Sequence, residues 1–428
     1  MILRVLPVRV ATKKVYCSYL LDGTTYTHTF TLPTTIKDAD DPRTQRLLNW
    51  LSIVHAPYLF SIEYVQTIQT DFPLTSAEKA FFEKLIFLGM AEFRYVNKLP
   101  ITLRTSIEAP SEERPANPPD QAPRLEGCFL LNGGGKDGSA SATVLGENNL
   151  DFTWFQLNTS VAQEEIVKAS GEPVIVCKRY MDPRRKDGKY QGHRPTSAAI
   201  AVTAVLCAWL LNKRDVIASN ESSANESNTT IDGVSINHQH SKSIEFEEDF
   251  SGLLREFGIP VRYFSLLRPL HELQIVQLAA KGPYLGHFTS CNHGYTEGVW
   301  CMECPKCAFI ALAFSAVSSE APGKIWPETP QPLALPALYA YLHELVSDDQ
   351  HKPLECVGTD EECKLAAAMA LKQGYRLPQN IIDSFTKAAN SIDFQEVHGR
   401  LVNSLAAHNI PKDYQPVLAD FERTFKNA

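Results

Sequence analysis

The sequence contains no long apolar run. Its longest mainly apolar stretch, Ser197 to Leu211, falls short of the roughly 20 residues that span a bilayer, so a membrane span is not expected. Positive charge is in deficit: 41 Lys and Arg face 49 Asp and Glu, a net charge of −8, with pI near 5.9. A broad, sequence-blind grip on nucleic acid needs surplus cations to displace phosphate counterions. That function class is therefore excluded for the chain as a whole, while local basic patches stay open. The opening residues, MILRVLPVRVATKK, alternate apolar and basic side chains with no apolar core between them. They read as a first strand rather than an export leader, so the Asn-x-Ser triplets at Asn220 and Asn225 carry no expectation of glycosylation. The ten cysteines are then expected to be reduced thiols or metal ligands in a cytoplasmic protein, not disulfides. No internal repeat is present, and no Gly-x4-Gly-Lys-Ser/Thr phosphate loop.

What is present suits a folded protein of two or three domains: 428 residues, 44% hydrophobic and 21% charged. Short alternating runs, KKVYCSYLLDG and YTHTFTL, predict hairpin strands in an N-terminal α+β region, residues 1–106. A helix is expected over Ser76 to Met90, because Thr75 and Glu78 have capping-box spacing and Phe81, Phe82, Leu85 and Ile86 share one face. Residues 107–124, with five prolines between Glu108 and Pro123, read as a linker. Residues 125–325 then alternate strand and helix. The strands are FLLN, FTWFQLN, VIVCK, DVIAS and VRYFSLL. Helices are expected over Ala140–Gly146, Val161–Ser170, Thr196–Leu211 and near Phe250–Phe257. This alternation predicts an α/β fold with a doubly wound, mainly parallel sheet, whose ligands sit beyond the strands' carboxyl ends. Residues 326–428 read as a C-terminal helical region, with an amphipathic helix over Leu333–Leu345 and another capped by Thr359 and Glu362.

Between FLLN and the first of these helices lies Gly133-Gly134-Gly135-Lys136-Asp137-Gly138-Ser139. Glycines let the backbone approach a phosphate and turn amides toward it, and the helix N-terminus adds its positive end. Lys136 could neutralise phosphate charge, and Asp137 could hold Mg²⁺. The plainer alternative is a strand-to-helix turn, which needs one or two glycines rather than three before Lys-Asp. Farther on, Cys291, Cys301, Cys304 and Cys307 have knuckle spacing that suits a structural tetrahedral zinc. Buried thiols or an iron–sulfur cluster are the alternatives, and His287 and His293 are expected to be solvated.

Other polar constellations flank these two. Asn220-Glu221-Ser222-Ser223-Ala224-Asn225 follows DVIAS, and Asn237-His238-Gln239-His240-Ser241-Lys242-Ser243 is equally dense in hydrogen-bonding groups. Each is a substrate-contact candidate or a solvated loop. The basic run of Arg179, Arg184, Arg185 and Lys186 precedes His193 and Arg194 at a helix start. It is either a solvated face or an anchor for an anionic substrate. Cys356, just before a capped helix, is either a reactive thiol or a small buried hydrophobe.

The glycine stretch resembles the Ser-Gly-Gly-Lys-Asp-Ser loop of the PP-loop ATP pyrophosphatases, whose fold is adenine nucleotide α-hydrolase-like. It departs at Gly133 and Gly138, where that superfamily carries hydroxyls; Ser139 could stand in. The four cysteines resemble the zinc site of the 7-cyano-7-deazaguanine synthases. The ordered set GMAEFRYVN, GGGKDG, GHRPTSA, SNESSAN, NHQHSKS, CMECPKCAF and KPLECVGT is most similar to the UDP-N-acetylmuramoyl-L-alanyl-L-glutamate epimerases of the MurL type. That resemblance implies adenylation of the terminal L-Glu of UDP-MurNAc-L-Ala-L-Glu and its inversion to D-Glu, with release of AMP and pyrophosphate. It implies ATP, Mg²⁺ and structural zinc, a small-molecule UDP-linked partner, and neither nucleic acid nor membrane. Adenylation removes the carboxylate charge that makes the α-proton hard to take, so a side-chain base can act; His238, His240 and Cys356 are the candidates. Two other readings are a deazaguanine-synthase-like amide or nitrile former and a non-catalytic zinc-knuckle binding module.

Overall fold

The computed structural model describes residues 1–113, 124–225, 229–236, 239–349, 353 and 355–426. The N-terminal region supplies β1 (Ile2–Val5), β2 (Arg9–Ala11), β3 (Lys14–Leu21), β4 (Thr24–Thr31), β5 (Thr67–Thr70) and β6 (Ser106–Glu108). Beyond residue 124 come β7 (Cys128–Leu131), β8 (Thr153–Leu157), β9 (Val174–Tyr180) and β10 (Asp215–Ala218). A small hairpin, β11 (Thr229–Ile231) with β12 (Val234–Ile236), precedes β13 (Arg262–Ser265). Eleven of these strands form one mixed sheet in the order β13-β10-β7-β8-β9-β4-β3-β1-β5-β6, with β2 paired to β3. From β13 to β9 every pairing is parallel. The β3–β4 hairpin turns on Asp22 and Gly23, both at positive φ, the geometry of a type I′ turn whose twist suits a hairpin.

Joining the two halves is the antiparallel pairing of β4 with β9, Phe30 opposite Arg179. The sheet therefore runs without interruption across the compositional boundary at residues 107–124. Successive strand residues point to opposite faces, and two cores result. Leu130, Trp154, Ile217 and Phe264 pack with the helix Lys136–Glu147 and the C-terminal helices. Phe129, Phe155, Val216 and Tyr263 pack on the other face with the helix Thr196–Leu210 and the N-terminal layer. The alanine-rich Thr196–Leu210 helix lies between the sheet and the helix Pro42–His55, a sandwich that only small side chains allow at close range.

Three helices differ from expectation; the one expected near Phe250–Phe257 spans Ile244–Glu256, its start capped by Ser243. The one expected at Ala140 begins at Lys136, because Gly135 carries the chain into the helix without a side-chain cap and the Lys-Asp pair occupies the first turn. The Leu333–Leu345 segment is two 3₁₀ turns followed by the α-helix Tyr339–Val346; Pro332 and Pro336 lack the N–H that a continuous helix requires. Both capping boxes form as read, Thr75 with Glu78 and Thr359 with Glu362.

Candidate active site

Beyond the carboxyl ends of β7, β8, β9 and β10 lies a cavity of about 670 Å³. Its floor is the glycine loop. Asn132 closes the loop: its side-chain oxygen accepts from the Gly134 amide at 2.9 Å, and its carbonyl accepts from Gln163 Nε2 at 2.6 Å. Gly134 sits at φ +76°, where a Cβ would come within 2.9 Å of Ala162 Cβ and 3.1 Å of the Gln163 backbone nitrogen. Only glycine fits there. Gly133 has nothing within 4 Å of an added Cβ and faces the cavity with Gly135, Asp137 and Gly138. Ser139 turns away; its hydroxyl donates to the Lys136 carbonyl at 2.7 Å inside the helix.

Lys136 does not line the cavity. Fully buried, its ammonium lies 2.5 Å from Asp137 Oδ1 and 2.5 Å from Glu272 Oε2. Burial alone would discharge this lysine, but Asp137, Glu272 and Glu221 outweigh it and hold it charged, its pKa raised. Burial would likewise raise the Asp137 carboxyl, yet Lys136 and Lys306 bring it below the ordinary carboxylate value. Asp137 thus presents a negative charge to the cavity with a cation fixed behind it.

The facing wall comes from the polar run after β10 and from two distant segments. Asn220 and Glu221 line it. Ser265 Oγ accepts the Asn220 amide at 2.7 Å, and Arg268 Nη1 donates to the Glu221 carbonyl at 2.7 Å, so both are held from beneath. Ser222 instead bonds His271 Nδ1 at 2.9 Å, and the Asn225 side chain accepts from the Ile244 amide at 2.9 Å; these two shape the loop. Lys242 and Cys356 reach the same wall, with Lys242 Nζ 3.4 Å from Cys356 Sγ. Desolvation works against the Lys242 charge, but Cys356, Glu221 and Asp137 outweigh it and raise its pKa.

Several sequence candidates lie elsewhere. His193 Nδ1 is 2.6 Å from Glu92 Oε1, and the Arg194 guanidinium sits over the Phe93 ring; neither lines the cavity. Thr196, Ser197 and Arg179 do, whereas Arg184 is tied to Asp182 at 2.7 Å. His240 is buried 3.8 Å from Glu245, its pKa lowered by burial. His238 lies outside the described residues.

The four cysteines converge: every Sγ of Cys291, Cys301, Cys304 and Cys307 is within 4.8 Å of the others, and Cys301 and Cys307 are 3.8 Å apart. A tetrahedron with Zn–S bonds of about 2.3 Å has edges of about 3.8 Å, so the donor set fits that ion. Cys304 is also the N-cap of the helix Pro305–Val317, accepting from the Cys307 amide, and Cys291 accepts from the Gly294 amide at 3.3 Å. The cluster is not remote from the cavity. Cys291, Asn292, Tyr295 and Thr296 form part of its wall, and the Val161 amide bonds the Thr296 carbonyl at 3.0 Å.

Sequence reasoning missed Glu272, Lys306 and Ser290. Lys306 lies between two cysteines of the knuckle and reaches the Cys356 carbonyl; a cation inside the motif was a signal. Glu272 and Ser290 meet the glycine loop from 136 and 154 residues away, with no local pattern to mark them.

Fold and site define a class: an α/β protein with a glycine loop lining a cavity at the carboxyl edge of parallel strands and a four-thiol cluster in the same wall. The chain belongs to the MurL family. The profile described as the MurL N-terminal domain matches residues 4–266, and that of the MurL C-terminal domain matches residues 287–398. A Salinispora tropica protein is 34% identical over 370 residues, 82% of this chain and 79% of its own length. One from Micromonospora sp. is 29% identical over 434 residues, 96% and 95% of the two chains. A third, from Xanthomonas oryzae pv. oryzae, is 30% identical over 352 residues, 79% and 77%. All three are named UDP-N-acetyl-alpha-D-muramoyl-L-alanyl-L-glutamate epimerase.

Proposed function

We propose that this protein is an epimerase that inverts the terminal L-Glu of UDP-MurNAc-L-Ala-L-Glu to D-Glu for peptidoglycan precursor synthesis. The carboxylate is activated with ATP, and AMP and pyrophosphate are released. The observation that carries this reading is the single cavity in which the Gly133–Gly135 loop, Asp137, Lys242 and Lys306 face one another, in a chain whose relatives bear the epimerase name. The core is read as a doubly wound PP-loop nucleotide fold, since the parallel strands run β9-β8-β7-β10-β13 and the order reverses beside β7, where the glycine loop begins.

On this reading Gly133 and Gly135, with the amides of the first helical turn, cradle the ATP phosphates. Lys306 and Lys242 balance their charge. Asp137 and Glu221 would hold Mg²⁺, which supplies charge neutralisation on the departing pyrophosphate. The four cysteines would hold a structural zinc that leaves no open position for water. Asn220 and Lys242 contact the muramoyl dipeptide, and Arg179 replaces His193 and Arg194 as the cationic wall residue. With the α-carboxylate adenylated, loss of the α-proton no longer builds a second negative charge next to that of an ionised carboxylate. The protein would work in the cytoplasm; among its described residues no helix is long and apolar enough to cross a membrane.

The test is to incubate the purified protein with ATP, Mg²⁺ and UDP-MurNAc-L-Ala-L-Glu, then assay AMP and, after acid hydrolysis, D-Glu. Both products are expected. AMP without D-Glu would favour an adenylating reaction of the deazaguanine-synthase type, and no AMP with any carboxylate would leave only the binding-module reading.

A further inference from the structure

Inversion at the α-carbon needs a group that takes a proton from one face, and few side chains in the cavity are placed to do so. Asp137 is bound to the Lys136 ammonium, and Cys291 belongs to the four-thiol cluster. Burial raises the Tyr263 hydroxyl far above the neutral range. His240, buried beside Glu245, does not reach the cavity. Cys356 does, half-buried, and it is held from two sides. Lys242 Nζ donates to its sulfur at 3.4 Å, and Lys306 donates to its carbonyl. The neighbouring Glu355 carboxylate accepts from Asn292, another wall residue. This clamp fixes a thiol beside a cation, in the cavity that the glycine loop also lines. A thiol ordinarily loses its proton near pH 8.5, and an adjacent cation favours the thiolate.

Resting on the epimerase function proposed above, we infer that Cys356 is the catalytic group that moves the α-proton, with Lys242 as its positioning and charge-balancing partner. The Cα–H bond of the activated glutamyl residue breaks, its proton passes to Sγ, and the electron pair stays on the substrate as an enolate. Water protonates the opposite face of the enolate, and the hydroxide left behind takes the proton from Sγ past Lys242. The thiolate and the water are thereby restored, and a second water hydrolyses the inverted acyl adenylate to the D-Glu carboxylate and AMP. The product formed in D₂O then carries solvent deuterium at Cα.

The experiment compares wild type with Cys356→Ala, Cys356→Ser and Lys242→Met, reading AMP release, D-Glu formation and Cα deuteration in D₂O on the same samples. For both Cys356 variants, D-Glu and deuteration should fall at least about 10²-fold, the usual size of a lost acid–base group, while AMP release falls less than tenfold. Continued AMP release also certifies a folded, nucleotide-competent protein. Peptide mapping after iodoacetamide should find Cys356 alkylated readily in wild type and at least several-fold more slowly in Lys242→Met, a difference that a purely structural thiol would not give. D-Glu formation within tenfold of wild type in Cys356→Ala overturns the assignment. So does parallel loss of AMP and D-Glu, which would move Cys356 to the adenylation step. A wild type that releases no AMP overturns the function itself and this assignment with it.

Discussion

Ser290 Oγ accepts a hydrogen bond from the Lys136 backbone amide at 3.0 Å, one residue before the first cysteine of the cluster. Beside it the Thr289 amide donates to the Gly134 carbonyl at 2.9 Å. The segment entering the thiol cluster therefore braces the glycine loop directly. Ser290→Ala removes one such bond, with a net worth of about 1 kcal/mol. It should raise the ATP dissociation constant about fivefold, measured by calorimetry, and leave the thermal midpoint within a degree or two. An unchanged affinity would show that the brace is unconnected to the nucleotide.

Gly133 and Gly134 separate the loop's two roles. Gly134→Ala forces a Cβ against the Ala162 and Gln163 backbone at positive φ. It should cost about 1–3 kcal/mol of stability and abolish ATP binding. Gly133→Ala meets no atom within 4 Å, so its thermal midpoint should match wild type, while its methyl group, pointing into the cavity, weakens ATP binding at least tenfold. Equal loss of stability in the two variants would refute the division.

Much of this arrangement was legible locally. The capping boxes at Thr75–Glu78 and Thr359–Glu362 mark helix starts because the signal lies within four residues. The strands FLLN and DVIAS are legible because both their faces are buried and apolar. The pairing of Phe30 with Arg179 was not. Hairpin alternation in β4 says that the strand has a partner but not which distant strand takes its other edge. The site divides in the same way. The glycine loop and four cysteines announce themselves by spacing, whereas Lys136 seemed aimed at ligand and is instead buried on Glu272. No pattern around Glu272 carries that information, because the contact is set by how the helix Glu272–Lys281 packs on the helix Lys136–Glu147.

His28 gives the fold an acid-sensitive point. Burial, then the positive charges of Arg185 and Arg179, push its pKa down to about 4 from an ordinary 6.5. A histidine depressed in the folded state contributes stability that is fully present above about pH 6.5 and is lost as pH falls toward 4. The loss is about 3 kcal/mol, at 1.4 kcal/mol per pH unit. Urea unfolding at pH 7.5, 6.0 and 4.5 should show this decline. His28→Asn should reduce the slope by about one proton, with His55, also lowered by burial, retaining its own share. A variant with the wild-type slope would remove His28 as the cause.

Metal removal is the sharpest probe of how the knuckle serves the cavity. Cys304 caps the helix that carries Lys306, and Cys291 directly follows the residues that brace the glycine loop. Thiolates released from a shared ion repel one another, so the cluster should open and both attachments loosen together. Chelator treatment, or Cys307→Ser, should remove one zinc per chain by elemental analysis and weaken ATP binding at least tenfold. Far-UV circular dichroism should change little: although Cys291, Cys304 and Cys307 are part of the core on one face of the sheet, most of the buried apolar contacts of both cores lie away from the cluster. Unaltered ATP affinity in the metal-free protein would mean that the hydrogen bonds of Thr289 and Ser290 hold the loop unaided. General unfolding would mean that the cluster is a keystone of the C-terminal core rather than a brace for the nucleotide site.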